Sequence, residues 1–404
     1  MDYPKNTPGA GLANGRFVDE DPIAGTPGSL IPASWGNAVT QEILNVISGA
    51  GLVPSENQTD QLSLAIKELA KLDPQQRFPV QVYRKNLIIN GNFDIWQRGA
   101  VNLAPNIGAY IADRFRCDWN GNAGVNISRQ NFVPGQGEVP NEPRFFFRWQ
   151  QVTAGAGGSI HRISQAIESV RTLAGKTATL TFWAKADTTR QVNVTLGQFP
   201  GTGGGGGETV TPVGSFQLKT SWTRFSATVQ LPSLAGKVLG SGGNDCLRLS
   251  FDLPLNVLQV IDLAQVQLEE GPVSTLFELR SPGDELMLCQ RYYEKTYSQE
   301  VSPGTFIGAY GSLISTVRLG QASFSAQPLA QWTFKVEKRG VPSISLFAPT
   351  SKGTPGQWRS GSDEVSSASA RALGASTRGV WVDNFDTALV TQTYYIHATA
   401  DAEL

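Results

Sequence analysis

Between Asn86 and Glu270 the sequence alternates apolar and polar side chains, and this period of two limits the folds open to the chain. It gives each strand one apolar and one polar face, which is typical of antiparallel sheets that are half-exposed to water. About eight such segments in succession predict a two-sheet sandwich of the jelly-roll type, which we assign to residues 86–281. The alternating apolar positions are Leu180, Phe182, Ala184, Val192, Val194, Leu196, Phe225, Ala227, Val229, Leu231, Leu247, Leu249, Phe251, Leu253, Ala264, Val266 and Leu268.

The first 85 residues follow a different pattern. Residues 1–33 are rich in proline and glycine and poor in large apolar residues, which predicts an extended arm that orders against a partner. Two helices are expected to follow, because apolar residues recur at helical spacing. Two short helices cannot enclose a core alone, so we expect residues 1–85 to form a docking segment whose apolar faces pack across subunits. The residues of these faces are Trp35, Val39, Ile43, Val46, Leu62, Ile66 and Leu69.

Residues 282–404 return to the strand pattern after a short segment that is compatible with a helix. Trp332, Phe334 and Val336 alternate with polar neighbours, which predicts a second, smaller β-sandwich at the distal end. Residues 350–378 are rich in Ser, Gly, Thr and Ala, and Trp358 is the only aromatic residue in this stretch. We interpret this stretch as a long surface loop. The predicted fold class is therefore mainly β, with helices confined to short segments.

Composition excludes several function classes. The net charge is -1, from 33 Lys and Arg against 34 Asp and Glu, so no basic excess points to nucleic acid or to an anionic membrane surface. Charged residues make up only 17%, which suits a protein whose surface is partly covered by other subunits. Three scattered cysteines indicate neither a disulfide framework nor a metal site. The N-terminal residues lack the apolar segment of a secretory signal, so we expect synthesis in the cytoplasm.

Three segments carry a resemblance to a known family. Residues 25–37 resemble the N-terminal region of tail-fibre proteins of tailed bacteriophages, particularly those of Pseudomonas phages and prophages. Residues 86–99 resemble the first jelly-roll strand of such fibres, and residues 264–271, with Phe277–Glu278 and Cys289–Tyr293, resemble its last strand and exit. The resemblance implies a homotrimer with its N-terminus docked in the tail or baseplate and its C-terminus on the host surface. R-type pyocin fibres share these motifs, so a fibre of a phage-tail-like bacteriocin stays open.

The predicted function is that of a tail fibre or receptor-binding protein, which attaches the virion to the host. The expected partners are two further copies of the chain, tail or baseplate proteins, and a surface glycan or pilus of a Gram-negative bacterium, but not nucleic acid. The chain would then reside in the virion tail. We expect no enzyme activity, because only two histidines exist and no Gly-x-Ser-x-Gly motif accompanies them. Glycoside hydrolysis needs only two carboxylates, so a short tailspike that cleaves surface polysaccharide is the alternative.

The candidate receptor-binding residues are tryptophans among turn-forming neighbours. Trp358, with Arg359, and Trp119 fit an exposed indole that stacks on a sugar ring, with Trp358 placing the receptor site in the distal domain. Either indole could instead fix a loop or a trimer contact. Asn92, Asp94 and Asp262 carry oxygen ligands suited to a structural Ca²⁺. Three residues are fewer than calcium usually requires, so a solvated surface is the favoured interpretation and no other cofactor is expected.

Overall fold

The computed structural model describes residues 8–23, 25, 27–71, 85–103, 107–317, 328–350, 356–360, 368–384 and 392–404. The chain divides into two compact units, Met1–Val80 and Gln81–Leu404. Strands dominate the second unit, so the prediction of a mainly β chain is confirmed. Among the described residues, no helix has the length and apolar character needed to cross a membrane.

The first unit contains the helices α1 (Ala33–Gly49) and α2 (Gln61–Lys71). Gln61 fixes the start of α2, since its Oε1 accepts from the Ser55 N–H at 2.8 Å and its Nε2 donates to the Val53 carbonyl at 2.8 Å. Ile47 and Ala65 are buried, whereas much of the remaining apolar surface is open to solvent within this single chain. The exposed apolar side chains of the two helices are Ile43, Leu62, Leu64 and Ile66.

The jelly roll consists of two antiparallel six-stranded sheets, which confirms the predicted sandwich. Sheet A contains, in spatial order, β1 (Val101–Leu103), β4 (Gly124–Asn131), β5 (Phe145–Thr153), β12 (Gln259–Glu270), β7 (Thr177–Ala186) and β10 (Thr223–Gln230). Sheet B contains β2 (Ala109–Tyr110), β3 (Arg116–Trp119), β6 (His161–Glu168), β11 (Cys246–Asp252), β8 (Arg190–Phe199) and β9 (Thr209–Leu218).

The alternating apolar residues of the two sheets form one core between them. Phe182 of β7 is fully buried, and its ring lies 5.1 Å from Phe251 of sheet B and 5.3 Å from Phe225 of the neighbouring strand. Burial of each such ring contributes about 1.5–3 kcal/mol, and ring pairs of this kind add about 1 kcal/mol. The polar members of these strands lie on the outer faces of the sandwich, where some, such as Thr179 and Thr181 of β7, are covered and others, such as Asn193 of β8, are exposed.

The segment before β1 is held against β12 at a β-bulge. The register of β12 shifts between Ala264 and Gln267, and Val266 donates its N–H to the Gly91 carbonyl at 2.9 Å. A Cβ atom at Gly91 would overlap the Val266 carbonyl oxygen, so only glycine permits this approach. The motif at 86–99 is thus positioned by backbone contact with the last strand of the sandwich.

The C-terminal residues form a smaller β domain around β20 (Gln392–Asp401). One half of β20 pairs with β13 (Tyr293–Lys295) and β16 (Ser343–Phe347), and the other half pairs with β14 (Leu313–Val317) and β17 (Gln357–Ser360). Because β20 pairs along both edges, all eight strands belong to one continuous sheet. The remaining strands are β18 (Ala368–Leu373), β19 (Gly379–Asn384) and β15 (Pro328–Thr333), and α3 (Pro282–Gln290) precedes the domain.

The expectation of a long surface loop over residues 350–378 is wrong in part, because β17 and β18 lie within it. Residues 351–355 and 361–367 of that stretch lie outside the described residues. Small side chains on β18 pack against the core that surrounds Trp358. Composition alone therefore indicated a loop where short strands of small residues form.

A buried network of charges joins the jelly roll to the C-terminal domain. Arg114 forms an ion pair with Glu403, and Arg98 contacts Glu403 at 3.3 Å and Asp401 at 3.0 Å. The guanidinium of Arg98 also lies 3.6 Å from the centre of the Tyr293 ring. Burial alone would lower the pKa of Arg98, but the surrounding carboxylates outweigh burial and raise that pKa. The two β domains of the second unit are thus connected through paired charges.

Candidate functional site

A cleft of about 680 Å³ lies at one end of the outer face of sheet B. Its walls come from the start of β6, the start of β8, and the end of β11 with the turn that follows. The strands β6 and β8 flank β11 and run antiparallel to it, so both begin at the end of the sheet where β11 ends. The residues that line the cleft are Ser159, Ile160, His161, Arg162, Thr189, Arg190, Gln191, Asn193, Asp252, Leu253, Pro254 and Leu255.

Strand register brings three polar side chains together in this cleft. Asp252 of β11 lies opposite Arg162 of β6 on one side and opposite Asn193 of β8 on the other. Arg162 Nε donates to Asp252 Oδ1 at 2.6 Å, and about a third of each side chain is exposed. Because alternate residues of each strand point into the core, these three side chains share the solvent face.

The same line of side chains continues across the sheet in both directions. Asp118 of β3 lies opposite Arg162, and Ser215 of β9 lies opposite Asn193. We call these five residues, Asp118, Arg162, Asp252, Asn193 and Ser215, the cross-strand row. Neighbouring strands are about 4.8 Å apart, so the row presents one polar group at each such step. It combines carboxylate acceptors, guanidinium donors, an amide and a hydroxyl.

Asn193 is held in one orientation by its neighbours. Ser215 Oγ donates to Asn193 Oδ1 at 2.7 Å, and Gln191 Nε2 donates to the same oxygen at 3.3 Å. Since the amide oxygen is engaged, the amide nitrogen is the group that remains to donate to a ligand. Asn193 and Gln191 are both exposed, so this donor faces solvent.

The floor of the cleft is fixed by His161, which is buried. Its Nδ1 lies 3.0 Å from the Pro254 carbonyl oxygen, and its ring lies 6.2 Å from that of Trp149. A carbonyl oxygen only accepts, so Nδ1 is the donor in this contact. The turn at Pro254 and the start of β6 are thereby held together, which reduces the entropy that ligand binding would otherwise cost.

A second ion pair stands at the wall formed by β8. Arg190 Nε and a terminal nitrogen donate to the two carboxylate oxygens of Asp187, each at 3.0 Å, and Arg190 also donates to the Leu258 carbonyl at 2.7 Å. Burial alone would raise the pKa of Asp187, but the hydrogen bonds and charge of Arg190 outweigh it and lower the pKa. Asp187 is therefore ionised at neutral pH, and the charge of Arg190 is balanced.

The tryptophans predicted from the sequence do not reach solvent. Trp358 is fully buried in the core of the C-terminal domain, and its Nε1 donates to the Asp383 carbonyl at 3.0 Å. Trp119 is also buried, with its ring 5.9 Å from that of Trp149 in an edge-to-face arrangement. The expectation of exposed indoles that stack on a sugar is therefore wrong for both. The turn-forming neighbours of the two tryptophans suggested exposure, but Trp119 lies in the core of the jelly roll and Trp358 in the core of the C-terminal domain.

The predicted receptor-binding residues are also separated from one another in the structure. Arg359 is half-buried and donates to the Pro349 carbonyl at 3.1 Å, next to Trp358 rather than at the cleft. Trp119 lies beneath the cleft, because it pairs with His161 in the register of β3 and β6. Sequence reasoning missed Arg162, Asp252 and Asn193. Their signal was the polar half of the alternation, but only the register shows that they meet.

The residues considered for calcium are engaged with an arginine or with each other. Asp262 accepts two hydrogen bonds from Arg148 at 2.8 Å, so this carboxylate is neutralised by a guanidinium. Asn92 Nδ2 donates to Asp94 Oδ2 at 2.9 Å. In the part of the chain that the structure describes, no three His, Cys, Asp or Glu side chains are grouped to hold a metal ion.

No protein-family model matches the chain, and no curated protein sequence shows significant similarity to it. Solved structures that match part of this chain include the enzymatically active domain of tailspike protein 4 of bacteriophage CBA120, at 15% identity and a TM-score of 0.30, covering 46% of this chain and 22% of that chain. A family 11 carbohydrate-binding module from Clostridium thermocellum matches at 10% identity and a TM-score of 0.27, covering 45% of this chain and 99% of that chain. The CBM22-1 xylan-binding domain of Paenibacillus barcinonensis Xyn10C matches at 11% identity and a TM-score of 0.26, covering 39% of this chain and 87% of that chain. TM-scores of this size do not assign a function or a ligand to this chain.

Proposed function

We propose that this protein is a receptor-binding protein of a tailed bacteriophage, and that it attaches the virion to a host surface glycan through the cleft on sheet B. The observation that carries the proposal is the cross-strand row, which aligns donors and acceptors across five strands at one open end of the sandwich. The sequence motifs at 25–37, 86–99 and 264–271 support the phage assignment, because they resemble those of tail fibres.

Sugar hydroxyls suit this cleft because each one both donates and accepts. Asp252 can accept from a hydroxyl, Arg162 can donate to one, and Asn193 offers an amide N–H. Each hydrogen bond contributes only about 0.5–1.5 kcal/mol net, so a single cleft binds weakly. Several clefts on one particle would raise the effective affinity by orders of magnitude, since later contacts become intramolecular.

The proposal includes a homotrimer that docks in the phage tail or baseplate through the first unit. Ile43, Leu62 and Ile66 are exposed within the single chain, and a packed helical bundle of three copies would cover them. Closed symmetry lets each copy present the same surface to its neighbours. In the virion tail, this arrangement would leave the β domains free to meet the host.

The test is binding of the fluorescently labelled full chain to host cells. Replacing both Asn193→Ala and Gln191→Ala removes a donor and its support, and we expect about tenfold weaker binding from the loss of one to two hydrogen bonds. Ser226→Ala, at an exposed position of β10 on sheet A, is the matched control and should bind as the wild type. Equal binding by all three proteins would refute the cleft as the receptor site.

The same purified protein tests the enzymatic alternative. Asp252 is the only carboxylate among the residues that line the cleft, and it is paired with Arg162, whereas glycoside hydrolysis uses two carboxylates. We therefore expect host polysaccharide to keep its length during incubation, and released oligosaccharides would contradict the adhesin.

Antibody labelling of whole particles in electron microscopy tests the particle type, and the label should mark tails that carry capsids. Label only on tails without capsids would favour a bacteriocin fibre.

A further inference from the structure

The charges of the cleft are balanced in pairs. Arg162 and Arg190 are the cations among its lining residues, and each is bound to an aspartate, Asp252 at 2.6 Å and Asp187 at 3.0 Å. Farther along the same face, Arg116 pairs with Asp118 at 2.9 Å. An anion that approached either guanidinium would therefore meet a carboxylate at the same time.

We infer that the ligand of this cleft is an uncharged saccharide rather than a uronic-acid, phosphate-bearing or otherwise anionic one; the inference rests on the proposed function. Recognition of carboxylate or phosphate groups typically uses a guanidinium whose donors are free to form a bidentate contact. Here the Nε donor of Arg162 is already committed to Asp252. An anionic sugar that bound the terminal nitrogens of Arg162 would place its charge beside that of Asp252, and the two like charges would repel each other.

Neutral hydroxyls avoid this conflict. A hydroxyl beside the pair can accept from a terminal nitrogen of Arg162 and donate to a carboxylate oxygen of Asp252, while the bond between Arg162 Nε and Asp252 Oδ1 stays intact. The row continues in the same manner to Asn193 and Ser215, which are uncharged. Each polar group can thus be satisfied by the same type of ligand group, which favours a neutral polyol over an anion.

The lining supports recognition through hydrogen bonds rather than through stacking. Among its twelve residues, all of them described, none is Phe, Tyr or Trp. The apolar members, Ile160, Leu253, Pro254 and Leu255, provide aliphatic surface beside the polar groups. Binding that depends on neutral hydrogen bonds should be nearly independent of salt, because no net charge is screened.

The experiment uses an array of purified bacterial O-polysaccharides, divided into uncharged repeats and repeats with acidic groups. The full-length protein should bind members of the uncharged class, with less than about a twofold change in affinity between roughly 0.05 and 0.5 M NaCl. A preference for acidic members that weakens with salt would overturn the inference while leaving glycan binding intact. Binding to neither class would instead overturn the proposed function and this inference together.

Asp252→Asn provides the second arm, because it keeps the shape of the side chain and leaves the charge of Arg162 unbalanced. We expect this variant to gain affinity for acidic polysaccharides by about fivefold or more, in a salt-sensitive manner. Glu208→Gln is the matched control, since it unbalances Arg248, which is 3.0 Å from Glu208 on the same sheet but outside the cleft lining. An Asp252→Asn protein that gains no more acidic binding than this control would contradict the role of charge balance.

Discussion

His397 is a fully buried histidine in β20, and its surroundings couple the stability of the C-terminal domain to pH. Its ring stacks on Tyr297 with 3.9 Å between ring centres, and its Nδ1 lies 2.9 Å from Thr296 Oγ1. Burial lowers the pKa of His397 to about 4, from an ordinary value of 6.5. The folded protein therefore keeps this histidine neutral at pH values where the unfolded chain would already be protonated.

The stability contributed by neutral His397 should be lost as the pH falls through the window from about 6.5 to 4, because the unfolded state binds the proton first. The shift corresponds to about 3 kcal/mol in the free energy of unfolding. Measured by thermal denaturation, the wild type should lose more stability across this window than His397→Gln, which has no ring to protonate. Parallel curves for the two proteins would show that His397 titrates alike in the folded and unfolded states.

At the scale of single residues, the sequence identified side-chain character but not surroundings. The alternation correctly placed Phe182 and Phe251 in the core. It could not distinguish an exposed Trp358 from a buried one, because that depends on β18 and β19 packing over it. Likewise Arg162 and Asp252 are 90 residues apart, and only the pairing of β6 with β11 makes them neighbours. Local pattern fixes polarity, whereas contacts between distant residues depend on register.

At the scale of elements, the ability to predict a strand depended on hydrophobic contrast. β11 (Cys246–Asp252) alternates large apolar and polar residues and was recognised, while β18 (Ala368–Leu373) consists mainly of alanine and serine with little contrast. β18 forms because it pairs with β19, with Ala372 opposite Val382. The spacing of apolar residues did predict the helices α1 and α2, but it could not show what covers their exposed faces.

The exposed helix faces lead to a prediction about assembly. Ile43→Asp combined with Ile66→Asp places charges on side chains that are 39% and 55% exposed in the single chain, so the helices themselves should tolerate them. If three copies bury these faces, the charges become buried and unpaired, which costs several kcal/mol. Multi-angle light scattering should then change from about three times the 43.4 kDa chain mass to lower masses. Asn45→Asp with Ser63→Asp, at exposed polar positions of the same helices, should stay trimeric; a wild-type mass of one chain would refute the trimer.

At the scale of the whole molecule, the paired charges between the jelly roll and the C-terminal domain lead us to expect that the second unit unfolds as one body. Glu403 contacts both Arg98 and Arg114, and the side chains of Arg114 and Glu403 are almost completely buried. Arg114 also has a positive φ of 72°, a conformation that costs about 1 kcal/mol or more and that its ion pair helps to hold. The C-terminal residues thus stabilise a turn in the jelly roll.

Glu403→Gln should therefore lower the free energy of unfolding by about 3–5 kcal/mol, because the buried guanidinium of Arg114 loses its carboxylate partner, whereas Arg98 keeps Asp401. Differential scanning calorimetry should show one transition for the second unit in both proteins, displaced to lower temperature in the variant. Glu270→Gln is the control, since its pair with Lys176 at 2.7 Å is more than half exposed on both sides and should contribute about 1 kcal/mol or less. Equal losses of unfolding free energy in the two variants would mean that Glu403 contributes no more to stability than an exposed carboxylate does. Two separate transitions in the wild type would mean that the domains fold independently, and the cleft on sheet B would then be insensitive to the C-terminal domain.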